Sequence, residues 1–132
     1  MAKKKGNDCP CGSGESYARC CGWYIDDGVT PETPEQLMRS RYTAYTMEDE
    51  VYLLDSWHTS TRPSVLFCES ERPVKWVELS IVTAIEPWPS DLTATVEFTA
   101  HYKVMGKLEH MHERSKFVRE NGCWFYLNGQ PA

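Results

Sequence analysis

Apolar and polar residues alternate without a break from Thr93 to Val104. Ala94, Val96, Phe98, Ala100, Tyr102 and Val104 fall on one side, and Thr93, Thr95, Glu97, Thr99, His101 and Lys103 on the other. A period of two predicts a long strand with one dry and one wet face. Trp76 through Ile85 is rich in Val, Ile and Leu and runs into Pro87-Trp88-Pro89-Ser90-Asp91, an extended segment closed by a turn. Earlier in the chain the period is helical. Leu37, Met38, Arg41, Tyr42, Ala44 and Tyr45 recur at that spacing behind Thr33-Pro34-Glu35-Gln36. There Thr33 can cap, Pro34 can take the first helical position, and Gln36 completes a capping box. Thr46 with Asp49 predicts a second start, continuing through Val51, Tyr52, Leu53, Leu54 and Trp57. The expectation is two short helices, or one bent helix, over residues 34–57, and at most one helical turn between Pro63 and Pro73.

Turn residues set a register. Asn121-Gly122 is a strong two-residue hairpin signal, and Gly106-Lys107 can turn the chain. The first turn places Phe117 opposite Tyr126 and Arg119 opposite Trp124. The second places Ala100 opposite Glu113, Phe98 opposite Ser115 and Val96 opposite Phe117. The dry face then collects Val96, Phe98, Ala100, Tyr102, Met111, Phe117, Trp124 and Tyr126, with Glu113 and Ser115 among them. The wet face pairs Glu97 with Lys116 and His101 with His112, beside His110. Helices followed by long antiparallel strands make an α+β fold, a curved sheet wrapped over N-terminal helices.

The chain has 132 residues, 41% of them hydrophobic and 12% aromatic, which suits one modest core plus a small appendage. No apolar run approaches the ~20 residues that span a bilayer. The start, Met-Ala-Lys-Lys-Lys-Gly-Asn-Asp, has no apolar segment of the secretory kind. A cytoplasmic location is therefore the expectation. The net charge is −5, and thiolates around a divalent metal would make it more negative. That balance argues against a broad polyanion-binding face. Lys3, Lys4, Lys5 and Arg19 leave only a local basic spot, most simply a solvated tail and a charge beside the thiolates.

The most specific feature is a cysteine cluster: Cys9-Pro10-Cys11, eight residues, then Cys20-Cys21-Gly22. Two thiol pairs joined by a turn-prone spacer suit one tetrahedral soft-metal site, usually zinc. Gly12 and Gly14 let the first knuckle fold back, and Gly22 is expected to relieve strain beside adjacent cysteines. Disulfides are the weaker reading, since Cys9–Cys11 and Cys20–Cys21 bridges would be strained and a reducing compartment opposes them.

These residues, with Ser13, Gly14 and Tyr17, resemble the SEC-C motif, the zinc-binding segment that ends the SecA translocation ATPase. The resemblance implies Zn2+ at Cys9, Cys11, Cys20 and Cys21. In SecA-type tails one ligand can be His, whereas all four positions here are Cys. Leu37-Met38-Arg39-Ser40-Arg41-Tyr42-Thr43-Ala44-Tyr45, Tyr52-Leu53, Trp57-His58, Val96-Glu97-Phe98, His112-Glu113-Arg114-Ser115-Lys116-Phe117 and Gly122-Cys123-Trp124-Phe125-Tyr126 resemble the YchJ family of small bacterial proteins. That family joins a SEC-C segment to a nuclear-transport-factor-2-like (cystatin-like) cone. The organisation follows as a SEC-C module at 1–24, a linker at 25–33 and the cone at 34–132. Some relatives carry a second SEC-C segment after the cone, and the sequence to Ala132 holds one. The resemblance implies a fold and a metal, not a reaction.

Glu113 is the next candidate. Its register puts a carboxylate on the apolar face near Tyr102, Ser115 and Tyr126, a candidate pocket in which burial would favour acid–base chemistry. The simpler role is an ion pair with Arg39 or Arg41 from the helix. His101, His110 and His112 lie on the wet face without a clear fourth ligand, as ordinary surface histidines do. His58 has no evident partner, and Cys68 and Cys123 are isolated thiols outside any nucleophile motif. Trp23 and Tyr24 are expected to dock the cysteine module on the cone, whereas exposure there would mark a partner site. No nucleophile–base pair, phosphate loop or open catalytic metal site is visible. The leading expectation is a zinc protein that engages a protein partner through the Ser13–Arg19 loop. The alternative is a small-molecule binder or enzyme using the cone interior around Glu113. Nucleic-acid binding through Lys3–Lys5 is disfavoured by charge.

Overall fold

The computed structural model describes residues 8–66 and 74–132. Lys3, Lys4, Lys5, Cys68 and most of the Pro63–Pro73 segment lie outside them. Helix α1 is Cys21–Ile25, α2 Pro34–Thr46 and α3 Glu50–Asp55. Strands β1 Val74–Ala84, β2 Thr93–Val104, β3 Lys107–Glu120 and β4 Cys123–Pro131 follow. They form one antiparallel sheet in the order β1-β2-β3-β4.

The N-terminus of α2 follows from its sequence. Thr33 Oγ1 accepts from Gln36 N at 3.1 Å, Pro34 takes the first turn, and Gln36 Oε1 reaches back to Glu32 N at 2.8 Å. The second start lies at Asp49, whose Oδ1 accepts from Tyr52 N at 3.1 Å. Thr46 does not cap. It closes α2 and donates its hydroxyl to Thr43 O. Two helices therefore stand where two short ones or a bent one were foreseen.

The sheet keeps the predicted faces but not every predicted partner. Phe117 pairs with Tyr126 and Arg119 with Trp124, as the Asn121-Gly122 turn requires. The β2–β3 turn is Met105-Gly106 rather than Gly106-Lys107, with φ 51° and 79°. Both residues are left-handed, the geometry that matches strand twist in a two-residue hairpin. Pairing consequently slips by two, so that Phe98 faces Glu113, Ala100 faces Met111 and Val96 faces Ser115. A slip of two leaves each side chain on its own face. It also replaces the foreseen Glu97–Lys116 and His101–His112 pairs with Glu97–Arg114 and His101–His110. Glu97 then takes His112 Nε2 at 2.7 Å and Arg114 Nη2 at 3.1 Å.

Bulges at Val77 and Val82 in β1, and at Leu127 in β4, bend the sheet. Its concave face meets α2. Leu37, Met38, Tyr42, Leu79, Val96, Phe98, Ala100, Phe117 and Trp124 form one buried cluster. Cys9, Cys11 and Cys21 belong to the same cluster, so the cysteine segment is part of the main core rather than an appendage to it. No helix among the described residues is long and apolar enough to cross a membrane.

Candidate metal centre and adjoining cavity

A tight knuckle carries the first cysteine pair. Cys9 N donates to Glu15 O and Gly12 N to Cys9 O, and Asp8 bridges Ser16. Gly12 and Gly14 sit at φ 81° and 88°, as the fold-back requires. The second pair opens α1. The sharp backbone turn falls at Cys20 itself, φ −130° and ψ −110°. Gly22 is helical, and its role differs from the one expected: a Cβ there would stand 2.7 Å from Tyr17 O. It is glycine because the preceding 3-10 turn packs directly on α1.

The sulfurs of Cys9, Cys11, Cys20 and Cys21 all lie within 4.8 Å of one another. Cys11 Sγ is 3.6 Å from Cys20 Sγ, which is 4.0 Å from Cys21 Sγ. Four sulfurs at the Zn–S length form a tetrahedron with edges of about 3.8 Å, so donor set and spacing both fit a tetrahedral soft cation. Four thiolates would fill the coordination sphere and leave no position for a reactant. Among the described residues this is the one group of three or more metal-ligating side chains so placed. His101 and His110 pair across strands at 6.2 Å between ring centroids, while His112 is held by Glu97. His58 finds Glu120 at 2.7 Å, a partner 62 positions away that no local pattern announces.

Partners outside the motif tune the sulfurs. Thr43 Oγ1 lies 3.3 Å from Cys21 Sγ and 3.7 Å from Cys9 Sγ. Ser13 Oγ donates to Cys20 Sγ at 3.1 Å. Arg39 Nη1 donates to Cys11 O at 2.9 Å and approaches Cys11 Sγ at 3.9 Å, while its Nε bonds Glu35. Burial opposes the Arg39 charge, but Glu35 and Cys11 outweigh it and raise its pKa. Within the cluster, hydrogen bonds from Cys21 and Cys9 hold the Cys11 thiol far below its ordinary range. Burial pushes Cys20 up to about 11. Cys21 is driven upward by its hydrogen bonds to Cys11 and Cys9. Crowded sulfurs cannot all ionise unless a cation joins them. Arg39 and Thr43, one turn apart on α2, thus face the quartet as a positive charge and a hydroxyl donor. Arg39→Ala and Thr43→Val are each expected to weaken metal affinity 10–100-fold, as loss of such outer partners commonly does. Competition with a chromophoric chelator measures it, and unchanged affinity in both variants would refute the role.

The opposite side of α2 faces a cavity of about 250 Å³ between helix and sheet. Glu113, Ser115 and Tyr126 line it together with Arg41, Tyr42, Tyr45 and Trp76. Tyr102 does not. The two-residue slip sets it opposite Glu109, and its ring packs on Trp76 at 5.5 Å. The ion pair foreseen for Glu113 is not formed. Arg39 is engaged at the thiols. Arg41, buried at 4% exposure, donates through Nη1 to Leu53 O and Ser56 Oγ, each at 2.6 Å. Its guanidinium stacks 4.4 Å from the Tyr126 ring and 5.0 Å from Trp57, and burial pushes its pKa down. Glu113 accepts from Ser115 Oγ at 3.0 Å and lies over Gly129, where a Cβ would collide with the carboxylate. Burial, with Glu113 nearby, pushes the Tyr126 hydroxyl up to about 12. Burial likewise raises Tyr42 to about 12, and it raises Tyr45. These hydroxyls stay neutral at physiological pH.

Trp23 is 48% exposed, so docking covers only about half of it, and Gly12–Glu15 and Ala18-Arg19 are exposed as well. Tyr24 is half-buried. The buried cysteines, with Tyr17 and Ile25, pack the segment on the core.

Residues 33–129 match the family described as YchJ, middle NTF2-like domain, and residues 7–22 match the SEC-C motif. A UPF0225 protein of Chromobacterium violaceum is 46% identical over 126 residues, covering 94% of this chain and 93% of the relative. One from Ralstonia nicotianae is 43% identical over 131 residues, covering 92% and 89%. The solution structure of a SEC-C motif containing protein from Rhodopseudomonas palustris superposes with TM-score 0.81 at 32% identity, covering 94% of this chain and 98% of that one. The crystal structure of a SEC-C motif containing protein from Psychrobacter arcticus gives TM-score 0.75 at 26% identity, covering 94% and 82%.

Proposed function

This chain belongs to the YchJ (UPF0225) family of NTF2-like proteins with a SEC-C motif, and from that premise we propose that it is a zinc protein whose SEC-C segment engages a protein partner. One observation carries the reading. The four sulfurs converge on a single closed position while the knuckle and Trp23 turn outward. A closed tetrad is an organising centre, not a reactive one. What it organises is an exposed loop, and two positions after the second cysteine pair comes a half-exposed Trp23, the residue type that anchors interfaces. Six cysteines and a metal-suited quartet favour a reducing, cytoplasmic setting. Affinity capture from a bacterial lysate tests the reading with three baits: metal-loaded wild type, chelated wild type and metal-loaded Trp23→Ala. A partner held by the first and lost at least tenfold by the other two is expected. Identical captures by all three baits would end the proposal.

A second reading has its own support. The cone is hollow, and the cavity holds a carboxylate, a guanidinium and aromatic walls. Cavities with a few polar groups in an apolar lining are typical small-molecule sites. Binding there is compatible with a partner at the metal segment, because the two lie on opposite sides of α2.

A further inference from the structure

The cavity's chemistry narrows what can enter it. Met38, Phe98, Ala100 and Phe117 are buried and make its inner wall, joined by Arg41 and Ser115, the latter 3% exposed. Its rim is half-buried: Tyr45, Trp76, Met111, Glu113 and Tyr126. Its polar side chains include a guanidinium on the buried wall and a carboxylate on the half-buried side, with hydroxyl-bearing Ser115, Tyr42, Tyr45 and Tyr126 also in the lining.

These two charges are not spent on each other. Arg41 Nη1 is taken by Leu53 O and Ser56 Oγ, and the Glu113 carboxylate by Ser115. No ion pair within 4.0 Å links them among the described residues. A ligand of either net charge would therefore meet one opposite and one like charge in a mainly apolar lining. There a net charge is costly unless it is fully paired. A neutral molecule meets no such conflict. It gains if it offers an acceptor to the arginine and a donor to the carboxylate, because unmatched buried polar groups are penalised.

Size and shape narrow the class further. About 250 Å³ lies below the roughly 300–1,000 Å³ of sites for drug-sized ligands, so a single ring system is the scale. The walls are aromatic. Trp76 meets Tyr42 edge-on at 5.8 Å and Tyr45 at 5.9 Å, and Tyr126 stands with Phe117 at 5.9 Å. Planar rings gain from offset-stacked and edge contacts with such walls.

Resting on the second reading above, we propose that the cavity between α2 and the sheet binds an uncharged, planar, single-ring molecule carrying one hydrogen-bond acceptor and one donor, with Arg41 serving the acceptor and Glu113 the donor.

Three probes of nearly one shape test this on the full, metal-loaded chain: benzamide, benzoate and benzamidine. Chemical shifts of the Met38 and Met111 methyl groups report occupancy, because both line the cavity. Benzamide is expected to shift both methyls and to bind at least tenfold tighter than either charged probe. Glu113→Gln leaves the wall with a net positive charge and is expected to move the preference at least tenfold toward benzoate. Gly129→Ala, whose Cβ displaces the Glu113 carboxylate, is expected to weaken benzamide binding severalfold. Tighter binding of benzoate or benzamidine by the wild type overturns the ligand class while leaving a small-molecule site in place. If no probe moves either methyl, both the ligand class and the small-molecule reading fail.

Discussion

Removing the metal is expected to unfold the cysteine segment and to lower the melting temperature of the whole chain. Binding of a structural zinc contributes roughly 10 kcal/mol or more at neutral pH, and where the site exists only in the folded state that energy is folding energy. Residues 8–26 carry little regular structure of their own, a few knuckle hydrogen bonds, a 3-10 turn and the five-residue α1, and their packing on the core runs largely through the cysteines, with Tyr17 and Ile25. Three of the four sulfurs are at most 1% exposed inside the common core. An apo cluster would leave four close sulfurs without the cation that joins them, inside the core cluster that also holds Leu37, Met38 and Tyr42. The damage should therefore spread into α2, and a fall in Tm of roughly 20 °C or more follows from a loss of several kcal/mol. Amide signals of residues 8–26 are expected to lose dispersion while the β2–β3 pair keeps its own. Cys11→Ser should reproduce the loss without chelator. The pH dependence has a definite sign. Ligand sulfurs bind as thiolates, so affinity falls as pH falls and protons compete for the cluster. A chelated protein with unaltered Tm would show that packing alone holds the segment.

Arg41→Ala carries the second large effect. The side chain is buried, bonds a carbonyl and a hydroxyl at 2.6 Å, and lies against two aromatic rings. Truncation leaves Leu53 O with only the longer bond from Ser56 Oγ at 3.2 Å, removes both cation–π contacts and enlarges the existing cavity. Large-to-small changes at such sites cost about 3–5 kcal/mol, or a Tm lower by roughly 10–20 °C. Arg41→Met keeps the stem volume and sheds the cost of burying a charge. It is expected to recover about half of the loss, since burial of an ion is itself unfavourable. Urea denaturation of both variants measures the difference. A destabilisation by alanine below about 1 kcal/mol would mean that the guanidinium does not join α2, α3 and β4.

Local signals are legible in the sequence where the physics is local. Alternation from Thr93 to Val104 fixes which side chains are buried, because pleating alone sets that period. Thr33, Pro34 and Gln36 set the start of α2 within one turn of backbone. Asn121-Gly122 determines its hairpin. Gly106 was ambiguous: glycine is permissive at either position of a tight turn, and choosing Met105 as its companion moved every β2–β3 pair by two. The dry face survived the slip, and Glu113, Ser115 and Tyr126 still line one cavity, but Tyr102 was lost from it. Tyr102 moved out of reach of Glu113, and Trp76 from another strand took its place.

By itself the sequence determined the family, the α+β layout and a quartet of cysteines spaced for one soft cation. All of these depend on residues close together along the chain. Only the tertiary structure decided what surrounds that quartet and what lies behind it. Arg39 reaches Cys11 across 28 positions and Thr43 reaches Cys21 across 22. Arg41, two positions from each, turns to the other side of the helix and meets β4. One helical turn thus serves the cysteine quartet with one face and the cavity with the other. That division follows from how α2 is rotated against the sheet, a property of packing that no spacing along the chain encodes.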